Sequence, residues 1–173
     1  MILRCCLLLA FAVPVGAQSA LARHDVDAPI SFEADRIEVR DTASQALLTG
    51  SVRIVQGTMT LTADQVKLYY TRTGGKDPQV DRLDAQNRVV LTSPSERATG
   101  RYGIYDVTQR VVTMTGDVVL TRGESVLRGQ RLVIDLDSGR STLDAAGVGG
   151  PGKPATGGGR VSGRFVVPPR TPK

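Results

Sequence analysis

The sequence predicts an all-β protein, an elongated stack of many short antiparallel strands with an internal repeat, and three observations carry that expectation. The first lies in Thr49 to Tyr70. Val52 and Ile54 alternate with Arg53 and Val55, Met59, Leu61 and Ala63 alternate with threonines, and Val66, Leu68 and Tyr70 alternate with Lys67, Tyr69 and Thr71. A period of two with β-branched enrichment marks half-buried strands. The second is a repeat. Moved by 66 residues, TGSVRIVQGTMTL (Thr49 to Leu61) falls on TGDVVLTRGESVL (Thr115 to Leu127), and Leu132 and Ile134 take the places of Val66 and Leu68. Repeated strand units that cannot bury an apolar face alone stack on their neighbours. The third is that no stretch shows a convincing helical moment.

Taken in order, residues 1–22 read as a secretory signal peptide. One charge at Arg4 precedes an apolar run from Cys5 to Val13, and Ala20-Leu21-Ala22 offers a small-residue cleavage site before Arg23, with Ala17 as a second candidate. A membrane span needs about 20 apolar residues, which this run lacks. Both cysteines fall in that segment, so the expected mature chain carries no disulfide framework or thiol chemistry. Residues 23–146 form the expected single domain. After a lead-in at His24 to Asp27, Ile30, Phe32 and Ala34 alternate with polar residues, and Ile37 and Val39 continue the pattern after Arg36. Asp41 to Gln45 reads as a turn, as do Gly57 and Asp64-Gln65, and Thr73 to Pro78 reads as a surface loop between two halves.

The second half predicts strands at Val80–Ala85, Arg88–Thr92, Ala98–Tyr105, Arg110–Met114, Val118–Thr121, Val126–Arg128 and Leu132–Leu136, with turns at Gln86-Asn87, Ser93-Pro94, Gly116-Asp117, Arg122-Gly123 and Asp137-Ser138-Gly139. Leu143-Asp144-Ala145 echoes Leu83-Asp84-Ala85, as if each half closed with a similar strand. Spacing of this kind predicts more than about a dozen strands. Residues 147–173 then change character: eight glycines lie between Gly147 and Gly163, with Pro151 and Pro154 among them. That composition is a flexible linker. Arg164 to Val167 reads either as one last strand or as part of an unstructured basic tail, and both readings stay open.

Charge and composition exclude several functions. Residues 23–144 hold 16 Lys+Arg against 17 Asp+Glu, whereas residues 145–173 hold five basic residues and no acid, so the formal charge of +5 belongs to the tail. The body has no basic stripe for nucleic acid. Aromatic residues make up 4% of the chain, without tryptophan, which leaves little for stacking bases or sugars. The only histidine is His24, so neither a Ser-His pair nor a His/Cys metal site is available. No catalytic residue, metal or cofactor is expected. Paired carboxylates remain as a route to glycoside hydrolysis, but the aspartates sit mostly at turns, where turn formation and solubility explain them.

The apolar alternation has more content. Val52, Ile54, Met59, Leu61, Val66, Leu68, Val118, Leu120, Leu127, Leu132 and Ile134 are expected to line one shared interior. Each is explained by a packed core, and together they also suit an open jelly roll that accepts acyl chains, each methylene contributing about 0.8 kcal/mol. Gly50 to Tyr70, with its G-x-V-x-I-x-Q-G…A-D-x-V pattern, resembles the OstA-like repeat of the LptA family of periplasmic lipopolysaccharide transport proteins, and Ala28 to Asp35 resembles that family's first strand. The resemblance covers residues 28–145. It implies a twisted β-jellyroll that stacks end to end with related domains and holds the acyl chains of lipid A in an apolar groove. It also implies an LptC-like inner-membrane partner, an LptD-like outer-membrane partner and head-to-tail homo-oligomers, with Ile30 and Phe32 on the strand that abuts the upstream partner. The Gly/Pro-rich tail departs from the family pattern at the C-terminal docking edge.

The function expected is therefore a non-enzymatic periplasmic lipopolysaccharide bridge that supports outer-membrane assembly. Two alternatives stand beside it: a secreted β-helical carbohydrate-active enzyme and a ligand-free structural adaptor. An acyl-sized apolar cavity favours the carrier, a groove of carboxylates and aromatics favours the enzyme, and a filled interior favours the adaptor.

Overall fold

A computed structural model describes residues 25–72, 74, 77–145 and 160–164. The signal segment and most of the Gly/Pro-rich tail lie outside the described residues. Among the described residues ten strands form one antiparallel sheet: β1 (Ile30–Glu33), β2 (Arg36–Arg40), β3 (Gln45–Gln56), β4 (Met59–Thr71), β5 (Gln79–Thr92), β6 (Glu96–Asp106), β7 (Val111–Arg122), β8 (Ser125–Asp135), β9 (Ser141–Asp144) and β10 (Ser162–Arg164). The fold is the all-β antiparallel jellyroll expected from the alternation and the repeat. Its only helical turn among the described residues is the short 3-10 segment Asp41–Ala43. The sheet begins with β1 and β2 beside β3, proceeds through β4, β5, β6 and β7 to β8, and ends with β9 and β10 beside β8, so it is not a closed barrel.

The strands are fewer and longer than expected, and the reason is a row of bulges. Asp64-Gln65, Gln86-Asn87 and Gly116-Asp117, read from sequence as turns, lie inside β4, β5 and β7. At these points the register shifts: between Thr49 and Val52 in β3, Gln86 and Val89 in β5, and Thr115 and Val118 in β7. Each shift coincides with two consecutive left-handed residues, Gly50-Ser51, Asn87-Arg88 and Gly116-Asp117. Glycine, asparagine and aspartate tolerate that conformation and therefore mark a turn and a bulge alike. The repeat spaced 66 residues apart is thus a repeat of bulged strands. Leu83-Asp84-Ala85 closes no half of the chain, since it sits within the 14-residue β5.

Because β3, β5 and β7 are bulged at matching heights, the whole sheet bends along one line. One set of half-strands ends in tight turns, with Gln56 opposite Met59 and Arg122 opposite Ser125. Gly57 and Gly123 supply the positive φ of those turns. The other set ends in longer loops led by aspartate. Asp106 accepts the Gln109 N–H at 2.8 Å and Asp135 accepts the Ser138 N–H at 2.9 Å. Those backbone bonds hold the Asp135 carboxyl below its ordinary pKa. We call the two sets the turn-side and loop-side halves.

The halves fold face to face over one core. Leu48, Val66, Leu83, Val112, Met114, Leu132 and Ile134 come from the loop side, and Val52, Ile54, Leu61, Val89, Leu91, Val118 and Leu120 from the turn side, all buried. Each such side chain contributes about 1.5–3 kcal/mol relative to exposure. The bend itself sets a testable sensitivity. A Cβ on Gly116, at φ +84°, would lie 2.9 Å from the Arg101 Cβ, whereas one on Gly123, at φ +55°, meets nothing. Gly116→Ala is expected to lower stability by about 1–3 kcal/mol and Gly123→Ala by about 1 kcal/mol. Urea unfolding of both variants checks the difference, and equal losses would remove the bend from its central place.

Candidate functional site

The interior of the folded sheet is the candidate site. Of the eleven interior residues expected from sequence, Val52, Ile54, Met59, Leu61, Val66, Leu68, Val118, Leu120, Leu132 and Ile134 are buried in one cluster, and Leu127 packs against it half-buried. Alternation places them: successive inward residues of a strand lie two apart, and each pairs with an inward residue next door, as Ile54 does with Leu61 and Leu120 with Leu127.

Two regions of this interior differ. Near β4, β6 and β7 the space between Met59, Leu61, Leu91, Tyr105, Val112 and Met114 is only about 10 Å³, and no lining surface there is polar. Near β8, β9 and β10 the interior opens into a cleft of about 480 Å³, lined by Leu120, Leu127, Leu132, Leu143 and Val161. Arg122, Ser125 and Ser141 add polar groups at that cleft.

Sequence reasoning missed three polar residues that face inward. Tyr105, on the loop side, donates its hydroxyl to Gln56 Oε1 on the turn side at 2.8 Å, and Gln56 Nε2 donates to the carbonyls of Val26 at 2.8 Å and Ala28 at 3.1 Å. Burial raises the Tyr105 pKa, with the Gln56 bond opposing, so the hydroxyl keeps its proton at neutral pH. Glu96 is buried and ion-paired with Arg122, whose side chain is half exposed. The signal was present in the alternation: Gln56 follows Val52 and Ile54 at spacing two, and Glu96 precedes Ala98.

The aspartates considered for acid–base chemistry are spread over the surface in structural roles. Asp64 pairs with Arg88, Asp84 with Arg82, Asp117 with Arg101 and Asp144 with Arg131, each from a neighbouring position on the sheet. Asp81 accepts the Thr71 hydroxyl at 2.6 Å, and Asp106 and Asp135 hold turns. Among the described residues no three His, Cys, Asp or Glu side chains are grouped to hold a metal ion.

Ile30 and Phe32 lie on β1, paired with Gln56 and Ile54 of β3 at the sheet edge. Ile37 and Val39 of β2 pair with Leu48 and Ala46. The inward apolar face therefore continues onto this edge. There it is left open, with Phe32 45%, Ile37 47% and Val39 53% exposed. At the opposite edge β10 begins at Ser162, so the strand candidate from Arg164 to Val167 coincides with it only at Arg164, and residues 165–167 lie outside the described residues.

With this geometry, the match of residues 31–140 to the family described as LptA/(LptD N-terminal domain) LPS transport protein decides the assignment. The chain belongs to that family. It is 38% identical over 126 residues to an uncharacterized protein of Rhizobium meliloti, covering 70% of this chain and 68% of that protein. It is also 26% identical over 145 residues to the lipopolysaccharide export system protein LptH of Pseudomonas aeruginosa, covering 79% and 83%. The crystal structure of LptH, described as the LptA homologous periplasmic component of the lipopolysaccharide transport device, superposes with a TM-score of 0.67 at 21% identity, over 84% of this chain and 99% of that one. At that identity the likeness bears on the fold alone.

The Glu96–Arg122 pair at the mouth of the cleft yields a test. Removing Arg122 takes an ion-pair partner from the buried Glu96 carboxylate, which weakens the compensation of its charge. Arg122→Met is expected to lower stability by about 1–3 kcal/mol, a value reduced from the fully buried case because Arg122 is half exposed. Adding Glu96→Gln to that variant is expected to restore part of the loss in urea unfolding. No recovery would mean that Arg122 acts through packing of its stem.

Proposed function

We propose that the protein is a non-enzymatic periplasmic carrier that moves lipopolysaccharide between the inner and outer membranes as one link of a protein bridge. The observation that carries this reading is the apolar interior gaping at the β8–β10 end, in a chain of the LptA family. Cargo with several acyl chains needs a long, dry, apolar surface, and an interior built from alternating strand positions supplies one without any reactive group. Val52, Ile54, Met59, Leu61, Val66, Leu68, Val118, Leu120, Leu127, Leu132 and Ile134 are the proposed lipid-groove residues, with the acyl chains of lipid A entering at Leu120 and Leu127. Export through a signal peptide at residues 1–22, with residues 23–146 as the folded domain and 147–173 as a tail, belongs to the same reading.

The filled region between Met59 and Met114 favours a second reading, a ligand-free adaptor, because acyl chains reach that region only if the halves separate. Lipid capture separates the two. Leu127 is half-buried at the cleft, so Leu127→Asp disturbs the core less than Leu61→Asp. A carboxylate there is costly to desolvate unless it takes up a proton. Leu127→Asp is expected to reduce lipopolysaccharide capture at least about tenfold with the β-sheet circular dichroism unchanged. Undiminished capture by the folded variant would overturn the groove assignment, and a wild-type protein that captures none would leave the adaptor.

Bridge formation is proposed at the two sheet edges. An edge strand carries unpaired N–H and C=O groups, and the exposed Phe32, Ile37 and Val39 extend the inner face toward whatever pairs there. A strand of an LptC-like domain is the proposed upstream neighbour, adding to β1 by β-augmentation. An LptD-like domain, or another copy of this chain in head-to-tail order, is the proposed downstream neighbour at β9 and β10. A photocrosslinker at Ile30 is expected to reach the upstream partner, and Phe32→Pro is expected to cut the yield several-fold by disturbing the pairing edge. Equal yields would move the junction to the β10 edge.

A further inference from the structure

Residues 25–29, which the sequence presents as a lead-in only as far as Asp27, are tied across the seam where the two halves of the sheet meet. Gln56 closes the turn-side end of β3 and Tyr105 lies one residue from the loop-side end of β6, so their hydrogen bond joins opposite halves at the margin of the core. The segment from Asp25 to Pro29 passes over this join. Gln56 binds its Val26 and Ala28 carbonyls, and the Val26 side chain is half-buried against the core. From the other side Arg110, in the loop between β6 and β7, reaches Asp27 at 3.0 Å while its second arm holds Asp137 at 3.1 Å in the loop after β8. The segment thus has an anchor on each half. The filled region around Met59 lies on the strand that follows Gln56 and is lined by Tyr105, the residue that bonds Gln56, whereas the cleft opens away from it, at β8 to β10.

We propose that residues 25–29 form a strap that closes the β1 end of the apolar interior, held by Gln56 and Tyr105 inside and by Arg110 outside, and that release of this strap admits an acyl chain to the region around Met59. This rests on the lipid-carrier reading above. The holding contacts suit a reversible closure. Two are neutral hydrogen bonds to backbone carbonyls, and the third is an ion pair in which Asp27 is 81% exposed, an interaction of small net worth. The strap also runs directly into β1, the edge strand proposed to accept a partner. A partner that pulls on β1 therefore acts on the strap through Pro29, with no intervening linker.

The test uses the full-length exported protein with lipopolysaccharide as the probe and a photocrosslinker at Met59 or at Leu127. Asp27→Ala with Val26→Gly removes the outer anchor and the apolar contact from exposed or half-buried positions, and Tyr105→Phe removes the hydroxyl that holds Gln56, the inner donor, in place. Amide hydrogen exchange at residues 26–28 reports release of the strap in each. With the strap released, crosslinking of lipid from Met59 is expected to rise about three- to fivefold while crosslinking from Leu127 stays constant. Faster exchange at residues 26–28 with no rise at Met59 would overturn the strap while leaving the carrier reading intact. Crosslinking from neither position in any variant would overturn both.

Discussion

The structure depends on one backbone constraint: three strands carry a pair of left-handed residues at the same height. Gly50-Ser51, Asn87-Arg88 and Gly116-Asp117 each insert one extra residue, and the intervening strands β4, β6 and β8 follow them around the bend. A single bulge kinks one strand, but a row of them folds the sheet. The cost is local strain at Ser51, Arg88 and Asp117, where a side chain occupies the left-handed region. Neighbouring contacts hold these positions: Arg88 binds Asp64, Arg101 binds Asp117, and the Asp35 N–H donates to the Gly50 carbonyl at 3.0 Å.

From the bend follows the character of the interior. Each long strand supplies inward residues to both faces of the sandwich, so one chain segment lines the groove above and below. This explains how a sheet without tryptophan and with little phenylalanine buries a continuous apolar core. It also explains why polar groups matter at the margins. Where the halves meet, Gln56 and Tyr105 satisfy each other and the Val26 and Ala28 carbonyls, and near the cleft Glu96 meets Arg122. Buried polar groups left without partners would weigh against closure, and these placements confine them to the rims.

The edges carry the other consequence. An open sheet leaves two edges, and in this chain both are made of two short collinear strands, β1 with β2 and β10 with β9. The break between β1 and β2 falls at Asp35, level with the Gly50 bulge, so even the edge follows the bend. At the β1 edge the inner apolar face runs out through Phe32, Ile37 and Val39, each about half exposed. An interior that stays apolar up to its rim can be continued by another sheet of the same kind, which is the physical basis for the proposed stacking of related domains.

What the sequence determined by itself was everything that follows from a period of two: the all-β class, the inward positions from Val52 to Ile134, the 66-residue repeat, the tight turns at Gly57 and Gly123, and the family pattern in Gly50 to Tyr70. Strand alternation is local, so it can be read without knowing any partner. Asn87 and Gly116-Asp117 could not be resolved that way. A left-handed residue reverses the chain if a hairpin forms and bends it if the strand continues, and the choice rests on whether the next strand pairs across the break. Only the tertiary structure decided it, by aligning the three bulges through strand pairing. It likewise decided that Gln56 meets Tyr105, 49 residues away, and that the chain before Ile30 lies across their junction. Contacts at that separation exist only once the sheet has folded onto itself, because no local pattern encodes which halves will face each other.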